Sequence, residues 1–390
     1  MSKRSLFFFI ATLLIIMAAA SMASAKKLIL DEEFNYTLPS VLSSEIGNLQ
    51  DKPFDGMILR LKVTDPTVFT KTRWSDSSLY PEYGALQTMR WGRLTDNFLL
   101  VTCASNIDWF NDNDWASVLY NIGLVAKAAR LGHCKGIVFD PESAPDYTTC
   151  PFCYAIQSQH AYKSFNDYRA IVRKRSAQFL NAIKAQLPYP VIHFYYGYEV
   201  FAHDMINPNM NSTALSNHEW GLLPSFINGM LDAATSGTVI NDGNEESYYY
   251  KSPTDYTSAR SRILGSNASL AAPDLTGKYM LYVRNAPALY VDYIYNQFDG
   301  PFTWRPNYSQ YMTPTQRNLW WEHNVYYALQ TSSNYVWCYA EHANFIRNQN
   351  IPTGLLDATS AAEQLLNASK PLGYSMDPII TPLKIHFPGQ

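Results

Sequence analysis

The sequence predicts an α/β fold, a single (β/α)8 barrel with extended βα loops, and three observations predict it. Short apolar runs of strand character alternate with longer runs whose apolar residues recur at i, i+3 and i+4. Eight such strand-like runs fall along the chain, the number that an eight-stave barrel needs. Several of them end in carboxylates, and the C-terminal tips of the strands are where such barrels carry chemistry. The G-x-G-x-x-G fingerprint of a dinucleotide-binding doubly wound sheet does not follow the first strand.

The chain opens on a predicted secretory signal over residues 1–25. Lys3 and Arg4 supply a basic start, Leu6 to Ala20 an apolar core, and Ala23-Ser24-Ala25 a small-residue cleavage site. The mature protein is then expected to begin near Lys26, to be exported, and to form one barrel domain over residues 26–390. No later run reaches the ~20 apolar residues of a membrane-spanning helix. Candidate strands follow at Lys27–Asp31, Gly56–Leu61, Asn97–Cys103, Gly136–Asp140, Val191–Tyr196, Thr238–Asp242, Tyr279–Val283 and Tyr335–Tyr339. The clearest helices are expected over Trp115–Leu131, Ala161–Leu187, Glu219–Ala234 and Pro314–Gln330. Asp114 suits an N-cap for the first of these, Gly132 a stop after it, and Thr313-Pro314 a cap with proline at N1 for the last. The tail from Ala358 reads as a short helix and a proline-rich end.

Bulk composition narrows the function. The formal charge is −3, and loss of Lys3 and Arg4 brings the mature chain to about −5. No basic tract is present, which leaves a nucleic-acid role without support. Aromatic residues make up 14%, with 28 Tyr and 9 Trp, a stock of rings on which the apolar faces of sugars can stack. The five cysteines are an odd number, so they cannot all pair within the chain. Cys150 and Cys153 form a C-x-x-C without zinc-finger or thioredoxin-like context, and a short structural disulfide is the expectation in an oxidising compartment. Cys103, Cys134 and Cys338 stand in or beside strand-like runs and read as buried small apolar residues.

The chemistry is concentrated in the acids. Residues 136–142 read Gly-Ile-Val-Phe-Asp-Pro-Glu, and strand alternation puts Asp140 and Glu142 on one face. The sixth strand ends in Asp242-Gly-Asn-Glu245 and the eighth in Trp337-Cys-Tyr339-Ala-Glu341. The tips of strands four and six can flank one sugar bond, and hydrolysis of that bond needs an acid for the leaving oxygen and a second carboxylate as nucleophile or base. Glu142 and Glu245 are therefore the expected main pair, with Asp140, Asp242 and Glu341 as further catalytic candidates. A carboxylate such as Asp140 beside Glu142 would raise the pKa of one partner. Trp337, Tyr339, Trp109, Tyr196 and Tyr248 are the expected substrate-binding rings.

Gly136 to Glu142 is similar to the strand-four signature of chitinase-like barrels, in which a glycine precedes spaced acids ending in D-x-E. The resemblance implies Glu142 as the acid and Asp140 as its helper, although Val138 stands where that signature has its first acid. Trp337 resembles the tryptophan that floors the sugar site in those enzymes. The use of strands four and six also resembles α-galactosidase-type barrels, where the strand-four acid is the nucleophile and the two roles are reversed. More broadly, the chain resembles secreted bacterial glycoside hydrolase-like barrels with Asp-x-Glu, Asp-Gly-x-Glu and Tyr-x-Glu strand ends.

Other chemistries find less in the sequence. The eight histidines include no H-x-H and no H-E-x-x-H, against a zinc hydrolase, and G-x-S-x-G is absent, against a serine hydrolase. The expectation is a secreted glycoside hydrolase acting on an oligo- or polysaccharide, with no cofactor, metal, nucleic-acid or membrane partner. A non-catalytic carbohydrate-binding barrel, or a polysaccharide lyase using Tyr, His193 and Arg, would be built from the same elements.

Overall fold

The computed structural model describes residues 26–32, 37–63, 67–142, 149–298, 300–303 and 305–387. The predicted signal lies outside them. Nine strands pair in parallel throughout: β1 Lys27–Asp31, β2 Gly56–Leu59, β3 Phe98–Thr102, β4 Gly136–Asp140, β5 Val191–Phe194, β6 Val239–Asp242, β7 Val283–Asn285, β8 Ala288–Tyr290 and β9 Tyr335–Tyr339. Their order is β7-β6-β5-β4-β3-β2-β1-β9-β8. Only Ala286 and Pro287 separate β7 from β8, so these two are halves of one barrel stave. Its first half pairs with β6 and its second with β9, which brings the two ends of the strand order together. The crossing is held by Ala286 N donating to Asp242 O at 3.0 Å and Trp337 N donating to Pro287 O at 3.2 Å. Proline lacks the N–H that an unbroken strand would offer its neighbour.

This corrects the seventh predicted strand. Residues 276–282 are helical, and Met280 and Leu281 are 51% and 64% exposed. A strand of the inner barrel is buried on both faces, so these exposed residues do not belong to one despite their β-rich composition. The other seven candidate strands stand where expected, within two residues at either end.

Helices follow the strands: α1 Pro39–Glu45, α2 Tyr80–Thr88, α3 Asp112–Leu131, α4 Phe165–Lys184, α5 Leu223–Ala233, α6 Pro253–Ile263, α7 Thr276–Tyr282, α8 Pro314–Thr331 and α9 Leu355–Asn367. The cap of α8 is as expected, with Thr313 and Gln316 forming a capping box. The cap of α3 is not: Asn111, rather than Asp114, accepts from the N–H groups of Asn113 and Asp114. Gly132 ends α3 with φ −85°, and the left-handed residue is the next one, His133 at φ +55°. The tail carries α9 from Leu355 and a further short helix, Asp377–Leu383. Among the described residues no helix is long and apolar enough to cross a membrane.

Cys103, Cys134 and Cys338 are buried as expected, whereas Cys150 and Cys153 are free thiols rather than a disulfide. Cys150 Sγ donates to Glu219 O at 3.1 Å. The neighbouring Cys150 side chain draws the pKa of the Cys153 thiol down.

Inside the barrel, alternate residues of β3, β5 and β9 meet as a stack of rings. Phe98 and Tyr335 lie 5.3 Å apart, His193 and Trp337 5.8 Å, and Tyr195 and Trp337 4.4 Å with planes 13° apart. Burial holds the pKa of His193 down to about 3, so the ring is a neutral part of this core.

Gly136 is where β4 and β5 approach most tightly, since a Cβ there would meet Val191 O at 1.7 Å. Gly136→Ala must force the pair apart and is expected to cost at least ~1–3 kcal/mol. A thermal melt checks this through a lowered midpoint.

Candidate active site

Because every strand runs the same way, the ends of β4, β5, β6, β8 and β9 open onto one rim. A cleft of about 280 Å3 lies there, lined by Glu142, Glu245 and Glu341 together with an aromatic wall. Trp337 and Tyr339 come from the inward face of β9, Tyr195 from just past the end of β5, and Tyr248 and Tyr249 from the short helix that begins at Glu245. Tyr290 at the end of β8 and Phe302 from the following loop complete the wall.

Glu142 and Glu245 are joined by one side chain. Tyr196 Oη lies 2.8 Å from Glu245 Oε1 and 3.1 Å from Glu142 Oε1. The two Oε1 atoms can be no further apart than those contacts laid end to end. Burial, followed by the charges of Glu245 and Glu142, raises the pKa of Tyr196 well above the usual phenol range, so its hydroxyl keeps its proton. Glu142 is exposed on the outer edge of the cleft, and Glu245 is half-buried.

The two aspartates sit beneath the glutamates. Asp140, 6% exposed, accepts the backbone N–H of Glu142 at 2.8 Å through Oδ1. Asp242, 3% exposed, accepts from Asn244 N at 3.2 Å and from Glu199 N at 3.0 Å. Asn244 has φ +45°, a conformation that non-glycine residues adopt mainly when local hydrogen bonds hold them there. Neither aspartate lines the cleft, and each anchors the turn that presents a glutamate.

Burial raises the pKa of Asp242 to about 7, helped by the nearby charge of Glu199. A carboxyl that keeps its proton in the folded state while losing it in the unfolded one stabilises the fold fully below pH ~4. That contribution is lost as pH rises toward 7. Raising the pH from 4.5 to 8 is therefore expected to lower the melting midpoint through Asp242, and Asp242→Asn to flatten that slope.

Glu341 is placed by backbone anchoring of the same kind. Its N–H donates to Asp292 Oδ2 at 2.7 Å, and its Oε1 accepts from Tyr290 Oη at 2.7 Å and Tyr339 Oη at 3.2 Å. Trp337 floors the cleft, stacked on Tyr195 and fixed by Nε1 donating to Gly243 O at 2.9 Å. The Tyr195 hydroxyl donates to the buried Asp31.

The structure thus brings Glu142, Glu245, Glu341, Trp337, Tyr339, Tyr248 and Tyr196 to one place. Trp109 is a correction. It is fully buried behind the barrel, stacked on Trp115 at 4.8 Å and edge-on to Phe69, with Nε1 donating to Pro151 O. Glu199 is likewise outside the cleft lining, held by Arg262 and Asn267.

Tyr195, Tyr290 and Phe302 are not among the expected rings. Alternation from the inward-facing His193 identifies Tyr195. Tyr290 was hidden by the misplaced seventh strand, and Phe302 has no sequence signal. Among the described residues no group of three or more His, Cys, Asp or Glu side chains could hold a metal ion.

No family model matches this sequence, and no curated protein matches it. Several solved structures are similar to this chain at low identity. A GH18 chitinase from Pseudoalteromonas aurantia is 13% identical, aligning 87% of this chain with 99% of its own at a TM-score of 0.40. A Bacteroidetes-affiliated GH5 cellulase is 8% identical over 93% and 96% of the two chains, with a TM-score of 0.48. A GH5-4 endoglucanase from Ruminococcus champanellensis with bound cellotriose is 10% identical over 87% and 97%, with a TM-score of 0.46.

Proposed function

We propose that the protein is a glycoside hydrolase that cleaves an O-glycosidic bond with retention, using Glu142 as acid and base and Glu245 as nucleophile. The observation that carries this reading is the placement of both carboxyl groups on one tyrosine hydroxyl at the rim of an aromatic cleft. Such a bridge keeps their nearest oxygens closer to the ~5–5.5 Å separation of retaining enzymes than to the ~6.5–9.5 Å that leaves room for a water.

Tyr196 also separates the roles. It has one proton for two carboxyl oxygens, and the shorter contact is to Glu245. Donation there supports a carboxylate at Glu245, and the scheme assigns the acid's proton to Glu142, the more distant acceptor. In the first step Glu142 gives that proton to the leaving oxygen as Glu245 bonds to the anomeric carbon. In the second, Glu142 removes a proton from water, whose oxygen displaces Glu245 and releases the sugar. The exposed position of Glu142 suits the residue that meets both leaving group and water. Asp140 and Asp242 are positioning residues in this scheme. Glu341 and the rings of Trp337, Tyr339 and Tyr248 hold the sugar. Residues 1–25 support export, so the substrate would be met outside the cytoplasm.

Proton NMR of the first product formed tests the scheme. Its anomeric configuration is expected to match that of the bond cleaved. An inverted first product would make water, not Glu245, the direct nucleophile.

A further inference from the structure

Beside the cleft lies a second cavity of about 250 Å3, and Tyr249 lines both. The charged groups differ between the two. In the cleft they are the three glutamates alone. The second cavity is lined by Lys251, Arg262 and Arg305 as well as by carboxylates.

Those carboxylates are already engaged. Glu199 is bound by Arg262 and by Asn267 Nδ2 at 2.7 Å, and Glu246 by Arg305 Nη2 at 3.0 Å. Asp255 accepts the N–H groups of Lys251 and Ser252 at 2.9 and 2.8 Å, the latter closing the capping box of α6. The cations are less fully used. Lys251 is half-buried, its Nζ lies 5.0 Å from the Tyr308 ring centroid, and among the described residues it has no hydrogen-bonded carboxylate or carbonyl. Among the described residues Arg305 hydrogen-bonds through Nη2, to Glu246, while its guanidinium lies over Tyr249 at 5.5 Å. A half-buried ammonium and a half-spent guanidinium on one cavity wall call for acceptors carrying negative charge.

We propose that this cavity is a subsite for an anionic sugar unit, next to the unit held at Glu142 and Glu245, with Lys251 and Arg305 binding its carboxylate or sulfate group. The inference rests on reading the cleft as a sugar site and adds the substrate class: a glycan carrying an acidic unit beside a non-acidic one. The all-carboxylate cleft repels an acidic unit, and the neighbouring cations attract it, which sets the register of the chain across Tyr249.

Titration calorimetry with the full-length Glu245→Gln protein, which should bind without turnover, tests this. The probes are cellotetraose, an aldotetraouronic acid with one uronate on neutral xylose units, and a sulfated carrageenan tetrasaccharide in which sulfated and unsulfated units alternate. At least one acidic probe is expected to bind more tightly than cellotetraose. Lys251→Met, which keeps the apolar stem against Tyr308, should weaken that binding by about tenfold or more and leave cellotetraose unchanged. Arg305→Gln should act in the same direction. The uronate and sulfate arms tell which anion is preferred. Acidic probes that bind no better than cellotetraose, or an equal effect of Lys251→Met on all three, would overturn the subsite and leave the cleft standing. Failure of all three probes to bind would contradict the sugar-site reading itself.

Discussion

Glu245→Gln and Glu142→Gln are each expected to lower kcat/KM by about 10²–10⁴-fold while leaving the melting midpoint close to that of the wild type. Glutamine keeps the shape of the side chain and an oxygen for Tyr196, so the local packing survives. It offers neither a nucleophilic carboxylate at 245 nor a transferable proton at 142. The double variant should lose little more than the worse of the two singles, because the pair acts as a unit. Tyr196→Phe should fall between wild type and these variants, since it removes the shared hydroxyl and leaves both carboxyl groups in place. Steady-state kinetics on a released oligosaccharide, run beside a thermal melt, separates lost chemistry from lost folding.

The second large effect concerns the floor of the cleft. Trp337 is 1% exposed, stacks on Tyr195, lies 5.2 Å from the Tyr248 ring and 5.8 Å from His193, and is tied to Gly243 O. Trp337→Ala opens a void at the centre of the inner ring stack and is expected to destabilise the fold by about 3–5 kcal/mol. It also removes the ring against which the cleft-lining Tyr195 and Tyr248 pack, so affinity should fall even at temperatures where the variant stays folded. Trp337→Phe should recover much of the stability but not the bond to Gly243 O. Urea unfolding and sugar titration on the three proteins give both quantities.

These expectations trace back to features of unequal visibility in the sequence. β1, β4 and β9 were legible to the residue because each is a short, largely apolar run, buried throughout in β4 and β9 and from Leu28 onward in β1. The seventh stave was not, because Pro287 divides it into two three-residue halves, each too short for a periodic signal. The strand-end acids were legible as a group, since charge at the tip of a buried run needs a reason. Their division of labour was not: only the hydrogen bonds show that Asp140 and Asp242 hold turns while Glu142, Glu245 and Glu341 face the cleft. Trp109 carries the same local signature as a sugar-stacking ring. Its fate is decided by Phe69 and Phe152, which enclose it from distant parts of the chain together with the nearby Trp115.

The central claim is that the Glu142–Tyr196–Glu245 bridge marks a hydrolytic centre. The measurement that tests it most directly is release of reducing ends from a broad panel of neutral and acidic oligo- and polysaccharides, with the Glu142→Gln, Glu245→Gln double variant as the blank. The account predicts release from at least one glycan by the wild type and none above background by the folded double variant. Tight sugar binding by both proteins with no release by either would contradict it and make the barrel a binding protein.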